Sequence, residues 1–496
     1  MTSQSLEPRA KADAISDLRT ALDFLAKIPG QLVSTKVEVD PYLELAGVYR
    51  RVGSGTPTAP PTRIGPAMVF ENVKGSGTKV AAGVLASRER TALLLGSTKE
   101  RLMFDLSGAL DRPVAPVVVP ATEAPCQEVV LRAPLDIRAV IPPIVSSKKD
   151  AGPFLNMALL RAEDPESGIS DVTIHRMCIH GPDTMSVSIA AGRHIGVFHQ
   201  KAEKLGKPLP VSVNIGLDPA IYVATSFEAP TTPLGFDELT IAGGLRDRPV
   251  ELVECVTQGA KAIAHAEIVL EGEFRPGEYV DEDALTGAGW AMPEFPGYVG
   301  VAQTHLPLLR VTAITHRAQP IFQTLIGPGE EHVTLAGLPT EASIFRLVED
   351  SMPGFLKNVY VASPGGGKYL AIMQVRKRRL NDEGRPRQAA LAALTAFYEL
   401  KHVILVDDDV DLYDMGDVMW AMTTRYQGDV STVFIPGVRG HSLDVSSTPE
   451  FNPMLRDSGI GCKTIFDCTV PMHMKDRFER SQFVDVDPDK YFQESG

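Results

Sequence analysis

Apolar residues first recur at helical spacing near the start of the chain. Ile15, Leu18, Ala21, Leu22, Leu25 and Ala26 share one face of a helix over 13–28, which Pro29-Gly30 ends. QLVSTKVEV then alternates as a strand does, Asp40-Pro41 offers an N-cap followed by a first-turn proline, and GSGTPTAPPTRIGP at 53–66 is a loop by composition. AMVFENV and KVAAGVLAS read as strands and 98–111 as a helix, so residues 1–118 form a mixed α/β domain.

The pattern changes after the proline-rich DRPVAPVVVPATEAP at 111–125. FLNMALLRA, DVTIHRMCIH, MSVSIAA, VSVNIGL, IYVATSF, ELVEC, AHAEIVLEGEF and LLRVTAITH follow as strand-like runs between Gly, Pro and Asp turns, with one helix at 193–205. Such a density of strands predicts a closed or split β-barrel over 119–320. From 321 strands alternate with helices at 339–350, at 387–400 and in DVMWAMTTRY, giving a C-terminal α/β domain over 321–465 and a tail at 466–496. The fold class is α/β (α+β), with a central barrel flanked by two α/β domains.

A chain of 496 residues exceeds one ordinary core, in keeping with several domains. No apolar run approaches the ~20 residues of a membrane span, and the first residues lack a basic-then-apolar leader, so a cytoplasmic protein is expected. The net charge of −13 argues against nonspecific nucleic-acid binding; Arg376–Arg379 is a local basic patch, best read as a solvated element end. Five cysteines, none at CxxC spacing, indicate neither a disulfide framework nor a Cys-rich zinc site.

Three local motifs invite chemistry. ASPGGGKYL resembles a phosphate loop but lacks the Walker spacing, so a plain turn is favoured, with Lys368 a residual phosphate candidate. Asp407, Asp408, Asp409 and Asp411 follow a buried strand and could hold Mg²⁺, although capping and solvation explain them more simply. MPEFPGY fences Glu294 between Pro293 and Pro296, which suits either a pre-organised acid or a rigid surface turn.

The sharpest signal is charge inside strand-forming sequence. Asp171, Arg176, His194 and Glu251 lie among Val, Ile and Met, where an ionisable group needs an ion, a metal or a substrate. Asp171, His194 and Glu251 form a donor set suited to Mn²⁺ or Mg²⁺. A lone strand histidine is more often structural, and His175, His180 and His199 compete for the role.

DVTIHR, GRHIG at 192–196, ELVEC, EIVLEGE, MPEFPGY and ILVDDDVDLYD resemble, in order, the motifs of the UbiD family of reversible decarboxylases, from VEVDPYLELAGVYRR at 37–51 to CTVPMHMKDRFERSQF at 468–483. The resemblance implies prenylated FMN (prFMN), made by a separate flavin prenyltransferase and held with Mn²⁺ (or Mg²⁺) and K⁺. It implies Asp171, His194 and Glu251 as metal ligands. Thr173, Ile174, His175, Arg176, Arg193 and Lys368 would join them around the cofactor. Arg176 would orient the substrate carboxylate and Glu294 return a proton to carbon. Many members carry a second glutamate five residues earlier, where this chain has Gly289, so the Arg-Glu-Glu network is expected to be incomplete. The family's C-terminal domain implies a homodimer or larger homo-oligomer.

QTLIGPGEEHV and MPEFPGY look like the branch acting on aromatic rings. Gallate-type members carry lysine where this chain has Trp290, and an indole in the pocket would favour a heteroaromatic acid such as indole-3- or pyrrole-2-carboxylate, releasing CO₂. Gallate, protocatechuate or 4-hydroxybenzoate is the alternative. Gln323, Glu331 and His332 are further pocket candidates. A non-catalytic flavin-binding protein is the reading from another class; it would need neither Arg176 nor Glu294.

Overall fold

The computed structural model describes residues 14–55, 59–189, 192–455 and 457–491. Residues 1–13, whose charges are read against export, and 56–58 of the predicted loop lie outside them. Among the described residues no helix is long and apolar enough to cross a membrane.

The first helix is shorter than its periodicity suggests, Leu18–Ala26, because Asp17 caps it: its carboxylate accepts from Thr20 N at 2.8 Å. Asp40 does not start a helix. It closes a turn by accepting from Tyr42 N, and the helix begins at Glu44. Strands Leu32–Thr35, Ala67–Phe70 and Lys79–Ala82 form the N-terminal sheet. Ile321–Thr324, expected to open the C-terminal domain, joins that sheet parallel to Lys79–Ala82. The two ends of the barrel segment are thereby brought back to one place.

The central sheet is antiparallel and curls, as the succession of strands predicts. Ser170–Ile174 is its edge on one side; Phe154–Leu155, paired with Met177–Ile179, is the edge on the other. Only His175 and Arg176 separate Ile174 from Met177, a reach of at most about 11 Å. The chain can leave one edge and enter the opposite side so soon only if the two edges nearly meet. The result is a half-barrel split along the line that His175 and Arg176 cross.

The acids of EIVLEGE are structural. Glu267, fully buried, accepts from Arg19 Nε and one terminal nitrogen at 2.7 and 2.9 Å, and Glu271 accepts from Val256 N and Thr257 N at 2.7 Å each.

A helix over Glu330–Ser351 leads into the C-terminal domain and is longer than expected. Pro339, which suits a first turn, sits inside it, so the carbonyl of Leu335 lacks its helical N–H while the preceding two turns persist. The C-terminal sheet runs Leu356–Val361, Leu370–Val375, His402–Asp407, Ile460–Asp467, Thr432–Arg439, with the middle three parallel. The aspartates after His402–Asp407 follow the simpler reading: Asp409 takes Arg425 at 2.6 Å, Asp408 pairs with Arg376, and Asp411 accepts from Tyr413 N at 2.9 Å.

Candidate active site

Where the half-barrel is split, a cleft of about 320 Å³ opens toward the helix Glu330–Ser351 and the C-terminal domain. Thr173, Ile174, His175, Arg176, Arg193, Glu294, His332 and Lys368 all line it, so the structure gathers residues that lie far apart in the sequence.

Arg176 is the centre of one wall. Its Nε and one terminal nitrogen donate to the two carboxylate oxygens of Glu282 at 2.7 and 2.8 Å, and the other terminal nitrogen pairs with Glu294. This corrects the expectation drawn from Gly289: a second glutamate is present, supplied by Glu282 upstream of the hairpin. Such a fork-to-fork pair fixes the plane of the guanidinium. Burial opposes the charge on Arg176, but Glu294 and Glu282 outweigh it and hold the pKa above its ordinary value.

Glu294 sits in the turn between strands Trp290–Pro293 and Val299–Val301. Its N–H donates to Tyr298 O at 2.8 Å, and a Cβ on Gly300 would lie 2.8 Å from its Cγ, so only glycine leaves room for the carboxylate there. The residue is 7% exposed. Burial raises its pKa, Arg176 opposes that, and the nearby Glu282 adds to it.

Phe295 locks this turn to the C-terminal domain. Its ring meets His332, Tyr369 and His441 edge-on, with centroids 5.6, 5.0 and 4.8 Å away. Gly366, at φ +64°, makes space: a Cβ there would lie 2.5 Å from the Phe295 ring. The glycine run is therefore a packing turn, and Lys368 reaches the cleft from its end. Phe295→Ala should cost about 3 kcal/mol or more of stability; thermal unfolding checks it.

Asp171, His194 and Glu238 form a metal-compatible cluster, with one donor atom from each within 4.8 Å of the others. His194 Nδ1 lies 2.9 Å from Asp171 Oδ1. Glu238 is buried with one carboxylate oxygen unpartnered, and burial, then the Asp171 carboxylate, push its pKa well up. Two carboxylates forced together out of water fit a divalent cation between them. The expected third ligand, Glu251, is not part of this cluster. It is on a small separate strip with Lys261–Ile263, its Oε2 lies 2.8 Å from His265 Nε2, and its side chain is 40% exposed.

The remaining cleft residues are polarised around ion pairs. Arg193 pairs with Glu228 at 2.7 Å, and Lys368 pairs with Glu399. His175 donates from Nδ1 to Ser188 O at 3.1 Å; burial holds its pKa down at about 4, leaving Nε2 a buried, unpartnered acceptor. His332 is pushed down to about 3 and His441 to about 4, burial being the main cause, so both imidazoles are neutral.

Trp290 does not reach the cleft. It is 37% exposed, beneath Lys149 at 4.6 Å, so the inference from an indole to a heteroaromatic acid loses its structural basis. Glu331 faces away, accepting from Gly83 N and Leu85 N at 2.9 Å each, and Gln323 is buried outside the cleft lining. His199 packs edge-on against Phe274 at 5.4 Å, a structural role.

The chain matches the N-terminal, Rift-related and C-terminal domains of 3-octaprenyl-4-hydroxybenzoate carboxy-lyase over residues 25–110, 117–330 and 333–468. It is 47% identical to the gallate decarboxylase of Lactiplantibacillus plantarum, over 96% of this chain and 98% of that protein. It is similar to the apo structure of 3,4-dihydroxybenzoic acid decarboxylase from Enterobacter cloacae: TM-score 0.92, 55% identity, 96% and 99% of the two chains. It also superposes, at TM-score 0.81 and 31% identity over 97% and 99% of the chains, on an evolved dimeric form of the UbiD-class enzyme HmfF from Pelotomaculum thermopropionicum in complex with prFMN.

Proposed function

Because the chain belongs to the UbiD family of carboxy-lyases, we propose that it releases CO₂ from a ring-hydroxylated benzoic acid, such as 3,4-dihydroxybenzoate or gallate, with prenylated FMN as cofactor. The observation that carries this reading is the Arg176–Glu282–Glu294 arrangement at the split of the half-barrel, facing a cleft that Lys368, His332 and His441 also line. The names of the gallate and 3,4-dihydroxybenzoic acid decarboxylases support the hydroxylated substrate.

Asp171, His194 and Glu238 would hold a divalent ion, Mn²⁺ or Mg²⁺, with K⁺ as its companion, and Arg193 would supply positive charge for the phosphate of the cofactor. When bound, prenylated FMN supplies an electrophilic centre that accepts the electron pair released on C–C cleavage. A guanidinium has five N–H groups, and three are taken by Glu282 and Glu294. The other two are left to hold the substrate carboxylate. Glu294, its pKa raised by burial, carries a proton closer to neutrality than a surface glutamate does and delivers it to the ring carbon that CO₂ leaves. Lys368 and the neutral His332 offer hydrogen bonds to ring hydroxyls.

A separate flavin prenyltransferase would supply the cofactor. A homodimer or larger homo-oligomer is supported by exposed Phe434, Phe451, Met454 and Phe483 in the C-terminal domain and tail, and by the dimeric form of HmfF.

The test is a substrate panel on enzyme coexpressed with a flavin prenyltransferase. CO₂ release from 3,4-dihydroxybenzoate or gallate should exceed that from indole-3- or pyrrole-2-carboxylate by about a hundredfold or more in kcat/KM. A preference for the heteroaromatic acids would reverse the substrate assignment.

A further inference from the structure

We propose that Glu399 is a positioning residue for this reaction: its carboxylate gathers Lys368 and His441 on the C-terminal-domain wall of the cleft and so sets where the hydroxyls of the substrate ring are held. The proposal rests on the hydroxylated-benzoate reading.

Glu399 follows the helix Arg385–Ala396 and is buried behind the cleft rather than in it. Three donors converge on it. Lys368 Nζ forms the ion pair, Tyr398 OH donates at 3.2 Å, and His441 Nε2 lies 3.4 Å away. His441 Nδ1 accepts from Leu443 N at 3.0 Å, which places the ring proton on Nε2, facing Glu399. One carboxylate thus fixes the reach of the lysine and faces the Nε2–H of a histidine whose tautomer Leu443 N sets.

Glu399 is itself held. Lys463 Nζ donates to Tyr398 O and Leu400 O, at 2.5 Å each, the carbonyls on either side of it. Burial brings Lys463 down to about 8, and Glu399 opposes that shift. Lys463 does not line the cleft, so its contribution to the reaction would run through the segment it clamps.

The consequence is electrostatic as well as geometric. Burial works against the charge on Lys368; Glu399 and then Glu228, 3.9 Å away, restore it, while Arg193 opposes it. His332, His441 and Glu294 also face the ammonium, and the rings of Phe295 and Phe397 lie 5.9 and 5.4 Å from it. Glu228 is already shared with Arg193. Removing the negative charge at Glu399 leaves a buried lysine without a counter-charge of its own, and it should shed its proton as pH rises through neutrality.

The experiment uses the cofactor-loaded enzyme with 3,4-dihydroxybenzoate from about pH 6 to about pH 9. Glu399→Gln is expected to raise KM about tenfold or more, to make KM climb further with pH by up to about one decade per unit, and to leave kcat within a few-fold. In the double variant with Lys368→Met the climb of KM with pH should disappear, because the group that titrates is that lysine. Glu399→Asp should restore the flat pH profile. If Glu399→Gln fails to fold or to load flavin, Lys463→Gln is read in its place, with a KM rise at unchanged kcat expected. An unchanged KM and pH profile in a correctly loaded Glu399→Gln enzyme, or a KM that still climbs with pH in the double variant, overturns the proposal while the substrate reading stands. No turnover of hydroxylated benzoates by the wild-type enzyme overturns that reading, and this proposal with it.

Discussion

Glu294→Gln is expected to reduce CO₂ release by about 10²- to 10⁴-fold while flavin and metal stay bound. The substitution keeps the size of the side chain and a hydrogen-bond acceptor for Arg176, so the hairpin and its Phe295 anchor have no reason to move. What it removes is the transferable proton. Because burial raises the pKa of Glu294, the active protonated form persists to higher pH than at a solvent-exposed glutamate. The sign follows: if protonation is required, turnover should fall as pH rises through that raised pKa and should be steady below it. The wild-type kcat profile and the absorbance of bound flavin in the variant check both halves, and full turnover with Gln at this position would sink the proton-donor assignment.

Glu238→Ala is expected to lose metal and flavin together, with metal affinity reduced by at least about a hundredfold. The cluster would retain only Asp171 and His194, too few donors to hold a divalent ion against water. Glu251→Ala is the control. Its carboxylate is half-exposed beside His265, and its removal should leave metal content and flavin absorbance as in the wild type. Metal analysis and the visible spectrum of the two proteins, purified in parallel, discriminate between the ligand sets. Normal loading of Glu238→Ala, with loss in Glu251→Ala, would restore the set that the sequence suggests.

The contrast between those two glutamates shows where sequence reasoning succeeds. Asp171 and Arg176 stand out because each sits beside apolar strand residues, His194 because apolar residues follow it at the start of the helix His194–Lys204, and Glu294 because prolines fence it; in each case the cost of burying a charge is visible in the neighbours. Glu238 and Glu282 carry no such mark. They lie in GFDELT and DEDALTG, where a glutamate resembles a helix start or a solvated loop, and only the curling of the sheet brings them to His194 and Arg176. Glu251 has apolar neighbours too, but Leu252 and Val253 supply the buried contacts of that short strip while Glu251 turns to its rim. Trp290 misleads in a related way: at the start of the hairpin it points out and Ala291 points in. The half-barrel itself is legible from the run of strands. That it is split at His175–Arg176 follows once Ser170–Ile174 and Met177–Ile179 are seen near opposite edges of one sheet.

Carboxyl loss is expected to depend on prenylated FMN bound at that split, against Arg176 and Glu294. The most direct measurement is CO₂ release from 3,4-dihydroxybenzoate by the protein made with and without a coexpressed flavin prenyltransferase. Turnover is expected only in the preparation that carries the prenylated cofactor, in proportion to its content of that cofactor. Equal turnover by protein made without the prenyltransferase would contradict it.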